Sequence, residues 1–269
     1  MIEAVQLSKV YLQGRWYSRS RFRVAALENV SLTIPQNSTL ALVGESGAGK
    51  STLGRCLCHL EEPDSGQIWF EGRDLLTLRP QERFAVRGRI QFIFQDSATA
   101  MNARFSAAEV VEEPLLIRTG MRKKERRQRA LAMMEQVGIS SRCADRSTLE
   151  FSGGQRQRLA IARALVLKPR LLILDEALSG LDLISQSQTV KLLRDLQASH
   201  ALTYLFITHD LRLAAHVADR IAVMRRGRIV EIGSVARVFF NAQDSYTRLM
   251  VTSIPEMPTD PSAPIRPKQ

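Results

Sequence analysis

A chain of 269 residues, 45% hydrophobic and 24% charged, has the balance of a folded protein with room for one large domain or two interlocked ones, which excludes wholesale disorder and fibrous repeats. No uncharged apolar run approaches the roughly 18–20 residues of a membrane span. The early Lys9, Arg15, Arg19, Arg21 and Arg23 come without the apolar stretch of a secretory leader, so a cytosolic setting is expected. Cys56, Cys58 and Cys143 form no CxxC pair and read as packed, reduced thiols. Lys and Arg exceed Asp and Glu by 38 − 27 = 11, and a pI near 10.2 suits nucleic acid, an anionic membrane surface or phosphorylated small molecules without choosing among them.

Taken in order, residues 2–43 are strand-rich, with predicted strands at Ile2–Leu7, Val30–Ile34 and Thr39–Val43. A glycine-rich turn follows, and Ser51–Leu60 reads as a helix. The middle of the chain, 100–165, favours helix: Glu109–Leu116, then a basic run through Arg122, Lys123, Lys124, Arg126, Arg127 and Arg129 into Ala130–Val137. Beyond Pro169 the pattern alternates: strand Leu171–Leu174, helix Leu183–Ser199, strand Tyr204–Ile207, a helix from Leu211, strand Arg220–Met224. That rhythm predicts a parallel sheet of βαβ units. Residues 225–233 read as a hairpin turning at Gly227. Pro255, Pro258, Pro261, Pro264 and Pro267, spaced by three, predict a solvated polyproline-like tail, with a docking segment as the alternative.

Gly44-Glu45-Ser46-Gly47-Ala48-Gly49-Lys50-Ser51-Thr52 has the G-x-x-x-x-G-K-[ST] spacing between a predicted strand and a predicted helix. Such a loop turns successive backbone N–H groups inward at a helix N-terminus, so it binds phosphate; Lys50 reaches the outer phosphates and the Ser51 hydroxyl can ligate Mg2+. The apolar strand Leu171–Leu174 ends in Asp175 and Glu176, at the sheet edge where phosphates bind. Asp175 is expected to hold Mg2+, directly or through water. Glu176, pointing elsewhere, suits a general base or a water-orienting role in phosphoryl transfer. His209, just past another apolar strand, is placed to meet the γ-phosphate.

With Phe151-Ser152-Gly153-Gly154-Gln155 added, these segments resemble the ATP-binding cassette (ABC) family of transporter ATPases, in family order from residue 11 to 209. The usual Leu of the Leu-Ser-Gly-Gly-Gln signature is Phe151 here. Gln95 resembles the family's Mg2+-touching glutamine, Asp182 in Ser179-Gly180-Leu181-Asp182 its interface loop, His209 its switch histidine, and Tyr11 the aromatic that stacks on adenine, with Trp16, Tyr17 and Phe22 as rivals. The implied cofactors are ATP and Mg2+, and the implied fold is α/β: a P-loop NTPase core with a mixed, mostly parallel sheet, an N-terminal antiparallel β subdomain and an inserted α-helical subdomain. Residues 1–251 form a single ATPase domain in this reading, with the core at 1–95 and 161–235, the helical subdomain at 96–160 and a C-terminal extension at 236–251; 252–269 is the tail.

The family also implies a head-to-tail dimer in which Ser152, Gly153, Gly154 and Gln155 close on ATP held by the partner's loop, with two membrane permeases and, indirectly, a solute-binding protein as further partners. The pair is two different ATPases in the resembled branch, or else two copies. The cassette then works peripherally at the cytoplasmic face of a bacterial inner membrane. Arg89–Ser97, Met101–Arg104, Glu112–Leu115 and Asp244–Met250 are similar to the dipeptide, oligopeptide and nickel importers. Within that branch the resemblance leans to the second nickel ATPase, which makes nickel or a metal chelate the first expected cargo and peptides the alternative. No cysteine follows Cys143, so no iron–sulfur centre is expected. A soluble cassette acting on nucleic acid or the ribosome is the remote alternative. The basic run reads better as a solvated face near anionic lipid, because Trp69, Phe70, Phe84, Phe92, Phe94 and Phe105 are assigned to strand or core positions rather than to base stacking.

Overall fold

The computed structural model describes residues 1–13, 22–95 and 101–254; the expectations for Trp16, Tyr17, the Phe22 side chain and the proline tail lie outside them. In chain order the elements are β1 (Ile2–Gln13), β2 (Phe22–Ile34), β3 (Thr39–Val43), α1 (Lys50–Leu57), β4 (Ser65–Phe70), β5 (Arg73–Asp74), α2 (Pro80–Arg89), β6 (Ile90–Ile93), α3 (Ala107–Arg118) and α4 (Lys123–Gln136). They continue with α5 (Gly153–Leu165), β7 (Leu171–Asp175), α6 (Leu183–His200), β8 (Thr203–Thr208), α7 (Leu211–Val217), β9 (Arg220–Arg225), β10 (Arg228–Ser234), α8 (Val235–Phe240) and α9 (Ser245–Thr252). The chain divides into two compact units, 1–80 with 203–269, and 81–202.

The first unit contains an antiparallel sheet in the order β2-β1-β4-β5 and a run of strands ordered β10-β9-β3-β8. β3 lies parallel to both β8 and β9, with Val43 opposite Thr208 on one side and Val223 on the other. Every residue of β3 and β8 is buried, as expected of parallel strands covered on both faces, and this is why they appear in the sequence as unbroken apolar runs. β9 and β10 pair antiparallel through the two-residue turn Arg226-Gly227. Both turn residues have positive φ, 46° and 78°, the backbone a tight hairpin of this hand requires. Helices α7, α8 and α9 cover one side, where Ala41, Val43, Leu211, Ala214, Ile221, Val223, Val238, Phe239 and Tyr246 form one apolar cluster.

The second unit contains the parallel pair β6–β7, with Ile93 opposite Leu174, and the helices α2 to α6. Three of its helices, α3, α5 and α6, begin on polar side-chain caps. Ser106 and Glu109 close a reciprocal capping box on α3, and Ser152 and Gln155 another on α5, each satisfying N–H groups that the first helical turn leaves open. The basic run is partly tied down. Arg127 pairs with Glu112 at 3.4 Å and Asp145 at 2.5 Å, Arg126 donates to the Met121 carbonyl at 2.6 Å, and Arg129 meets Glu125 one turn away. Arg122, Lys123 and Lys124 are exposed, as a solvated face requires.

Several sequence expectations need correction. The first helix begins at Lys50 and stops at Leu57 rather than running to Leu60, because His59 turns into the left-handed region (φ 55°). Strands β4, β5 and β6 and helix α2 were not foreseen as elements. Three of the six aromatics are neither strand nor core: Phe84 sits on α2 and Phe94 just beyond β6, each about half exposed (49%), and Phe105 is half-buried in the bend before α3. Phe84 packs instead under the Arg118 guanidinium, 4.5 Å from its ring centre, a cation–π contact that spares it from needing a buried site. Among the described residues no helix is long and apolar enough to cross a membrane.

Two outcomes test this packing. Phe206→Ala, which empties a fully enclosed site on β8, is expected to cost about 3–5 kcal/mol, seen as a lower urea midpoint. Burial pushes the Cys56 thiol up to about 12, and thiolate is the reactive form. Iodoacetamide at pH 8 should therefore label the half-buried Cys143 first and leave Cys56 unmodified until the protein unfolds.

Candidate functional site

The loop Gly44–Gly49 leaves the buried end of β3 and runs into α1, the strand–turn–helix context the motif demands. Two contacts explain its glycines. Gly44 (φ 155°) passes so close to the Met224 carbonyl that a Cβ would stand 2.1 Å from its oxygen, and Gly49 (φ 105°) passes the Ala26 carbonyl equally closely. Any side chain at either position would displace backbone. The loop is fastened from outside as well: Gly227 N–H donates to the Ala48 carbonyl at 2.9 Å, and Glu28 N–H donates to the Gly227 carbonyl at 2.8 Å. Arg228 and Glu28 form an ion pair alongside.

Lys50 opens α1 with its side chain folded back into the loop. Its Nζ donates to the carbonyls of Gly44 (2.7 Å) and Glu45 (2.9 Å), and the residue is only 6% exposed. A nearly enclosed ammonium group is costly unless matched by acceptors, and here backbone carbonyls supply them. Glu45, Ser46 and Gly47 are exposed, Ala48 and Thr52 are buried, and Ser51 is half-buried. An anionic ligand on the loop would meet backbone amides, the positive end of α1 and the Lys50 ammonium together.

Tyr11, on β1, is tied to the helix that the loop feeds. Its hydroxyl lies 3.5 Å from Thr52 Oγ1 and is hydrogen-bonded by Arg55, whose guanidinium also reaches Thr52 at 3.3 Å and Glu61 at 3.1 Å. Burial alone would lower the Arg55 pKa, but Tyr11 and Glu61 hold it above its ordinary value. His209 follows Thr208, the β8 residue opposite Val43, so the loop and the histidine leave adjacent parallel strands at the same end. Asp210 then caps α7 by accepting from Arg212 N–H (2.8 Å) and Leu213 N–H (3.2 Å), and the His209 side chain is exposed.

In the second unit, Asp175 is the last residue of β7 and is buried, while Glu176 follows half-buried. Glu176 adopts φ 49°, a left-handed conformation uncommon for any residue but glycine and found preferentially at functional positions. The turn behind it is held by Ser179, whose N–H (3.1 Å) and hydroxyl (2.8 Å) both donate to the Glu176 carbonyl. Gln95, exposed two residues beyond β6, leaves the β6–β7 pair at the same end as Asp175.

Ser152 caps α5, accepting from Gln155 N–H at 3.3 Å, and Gln155 Oε1 accepts from Ser152 N–H at 3.0 Å. Gly153 and Gly154 thus form the first turn of a 13-residue helix with its positive end exposed. Asp182 is committed locally: its carboxylate accepts from Ile184 N–H (3.0 Å), Ser185 N–H (2.9 Å) and the Ser185 hydroxyl (2.7 Å). The Ser185 hydroxyl, then the amides, hold it below the usual carboxylate range. A side chain at Gly154 would meet that same Ser185, so the starts of α5 and α6 pack together.

The structure therefore brings Tyr11, the Gly44–Thr52 loop and His209 together in the first unit. Gln95 with Asp175, and Ser152–Gln155 with Asp182, are brought together in the second. One residue touching the loop escaped the sequence reading: Tyr246, on α9, accepts the Glu45 N–H at 3.2 Å. Its sequence signals are its place two residues after the helix-capping Asp244 and the likeness of Asp244–Met250 to the importers, neither of which points to the loop.

The family model described as ABC transporter matches residues 27–179. The dipeptide transport ATP-binding protein DppF of Escherichia coli (strain K12) is 42% identical over 97% of this chain and 78% of its own length. Its Haemophilus influenzae namesake is 40% identical over 96% of this chain and 79% of its own length. A solved dimeric ATP-binding cassette in a post-hydrolysis state, bound to ADP and Pi, superposes with a TM-score of 0.77 at 29% identity, covering 87% of this chain and 99% of that one.

Gly49→Ala adds a Cβ against the Ala26 carbonyl at a left-handed φ. It is expected to weaken ATP binding about tenfold or more, measured by titration calorimetry.

Proposed function

Because the chain belongs to the ABC transporter family, as an ATPase whose hydrolysis is coupled to transport, we propose that it is the motor subunit of a bacterial importer of small peptides. Peptides replace nickel as the first choice. The sequence resemblance leaned toward the nickel branch, whereas the relatives matched over nearly the whole chain carry dipeptide-transport names. The remote reading, a clamp on nucleic acid or the ribosome, gains no support from them. The observation that carries the ATPase reading is the Gly44–Thr52 loop, two of whose glycines pass backbone carbonyls too closely for any side chain, with Lys50 enclosed in it.

Each unit contributes chemistry of its own kind. In the first, loop amides and Lys50 hold the phosphates, Tyr11 offers its ring to adenine, and His209 meets the γ-phosphate. In the second, Glu176 orients the attacking water and accepts its proton, while Ser152, Gly153, Gly154 and Gln155 present a helix N-terminus to nucleotide on a partner. In the first unit the Ser51 hydroxyl, and in the second the Gln95 amide oxygen and the Asp175 carboxylate, are each hard oxygen donors of the kind that suits Mg2+, which when bound would neutralise charge on the transferred phosphoryl group. Asp182 caps the start of α6 beside this helix and belongs to the Ser179–Asp182 loop proposed to face the nucleotide across the interface. A second, related ATPase is the favoured dimer partner, with two permeases carrying the solute across the cytoplasmic membrane that the cassette docks on and a solute-binding protein delivering it.

Lys50→Ala should abolish ATP binding. Glu176→Gln should retain it and lower turnover by about 10²–10⁴-fold, measured by phosphate release. In cells, Lys50→Ala is expected to remove uptake of a labelled dipeptide and leave labelled nickel uptake intact; the reverse pattern would return the assignment to nickel, and no change in either would refute the importer reading.

A further inference from the structure

Helix α9 is held to the rest of the first unit by a buried acid. Glu231 on β10 accepts from Gln243 N–H (2.9 Å) and Asp244 N–H (3.1 Å). Asp244 in turn caps the helix through Tyr246 N–H (2.8 Å) and Thr247 N–H (3.3 Å). This double anchor drives Tyr246 into the cluster that includes Val43, the last residue before the phosphate loop. Only 4% of Tyr246 is exposed, and the Arg225 guanidinium lies 4.7 Å from its ring centre. Its hydroxyl accepts the Glu45 N–H at 3.2 Å and also hydrogen-bonds the Glu45 carboxylate.

Glu45 N–H and Gly44 C=O belong to one peptide plane. Tyr246 holds the N–H end of that plane, and Lys50 Nζ holds the C=O end at 2.7 Å. A planar peptide gripped at both ends cannot rotate. When Lys50 turns toward phosphate, the carbonyl end is released and Tyr246 alone keeps the plane in place. The geometry points to Tyr246 as a positioning residue for ATP binding, through which the C-terminal helix α9 sets the first bend of the phosphate loop. This rests on the reading of Gly44–Thr52 as the ATP site. Burial pushes the phenol up from its ordinary pKa, which widens the pH range over which the hydroxyl stays protonated.

Tyr246→Phe keeps the ring, the apolar contacts and the stacking with Arg225, and removes only the hydroxyl. The expected result is a dissociation constant for ATP, measured by calorimetry on the full chain, raised about three- to tenfold, the worth of one hydrogen bond. KM for ATP should rise in parallel with kcat within about twofold, a split that general loss of folded protein, which lowers kcat alone, would not produce. An unchanged dissociation constant overturns the proposal. Lys50→Ala serves as the reference: if it too leaves ATP binding intact, the ATP-site reading fails, whereas loss of binding there with none in Tyr246→Phe sinks only the role of Tyr246. Should Tyr246→Phe not fold, hydrogen exchange of the Glu45 amide in the native protein decides. Protection persisting with ATP bound supports the proposal, and rapid exchange in the ATP-bound state refutes it.

Discussion

The carbonyl oxygens of Ala26 and Met224 stand where side chains of Gly49 and Gly44 would otherwise be, and the first unit is organised around that exclusion. β2 delivers Ala26, β9 delivers Met224, and the β9–β10 turn crosses from one to the other, since Gly227 bonds both Ala48 in the loop and Glu28 in β2. The Arg228–Glu28 pair beside it is largely exposed, and exposed pairs add only about 0–1 kcal/mol. Position is therefore fixed by backbone hydrogen bonds and by the apolar cluster under the loop, not by surface charge. A phosphate-binding loop works through the direction of its N–H groups, so rigid surroundings matter more here than additional cations would.

The second unit meets a related demand with helix ends. Ser152 and Asp182 each spend their side chains on their own first turn, which orders the starts of α5 and α6 without help from solvent. Gly153 and Gly154 then stay bare at the positive end of a helix. The strained φ of Glu176 belongs with this ordering: the two donors of Ser179 to its carbonyl hold the backbone in a conformation it would otherwise leave.

Parallel strands were the most legible part of the sequence, and the reason is physical. β3, β7 and β8 are buried along their whole length, so their apolar runs have sharp ends that the reading located to within a residue. The sequence was silent where burial is partial. Helix α2 has no buried residue and therefore no apolar stripe, and β4 opens on Ser65-Gly66, residues that suggest a turn. Motif spacing singled out Gly44–Thr52, Asp175–Glu176 and Ser152–Gln155 as candidates, because such motifs are residue types at short range. Tyr246 was hidden for the opposite reason: its partner lies 201 positions away, and nothing local distinguishes a tyrosine that will be buried under a loop from one facing solvent. The capping bonds of Asp182 were similarly hidden, since an aspartate in a loop and an aspartate capping the next helix look alike until hydrogen bonds are assigned.

The first unit is assembled from both ends of the chain, and this has a cost during biosynthesis. β3 needs β8 and β9 beside it, Thr39 N–H waits for Asp219, 180 residues later, and Glu45 waits for Tyr246, 201 residues later. At roughly 5–20 residues per second on the ribosome, the glycine loop spends about 10–40 s without the partners that shape it. Through that interval the four consecutive apolar residues Leu40–Val43 of β3 stand unpaired, the kind of exposed strand that favours aggregation. The nascent chain is thus a natural client for chaperones, and nucleotide can report on completeness: only a fully synthesised cassette has a fully formed loop to bind it.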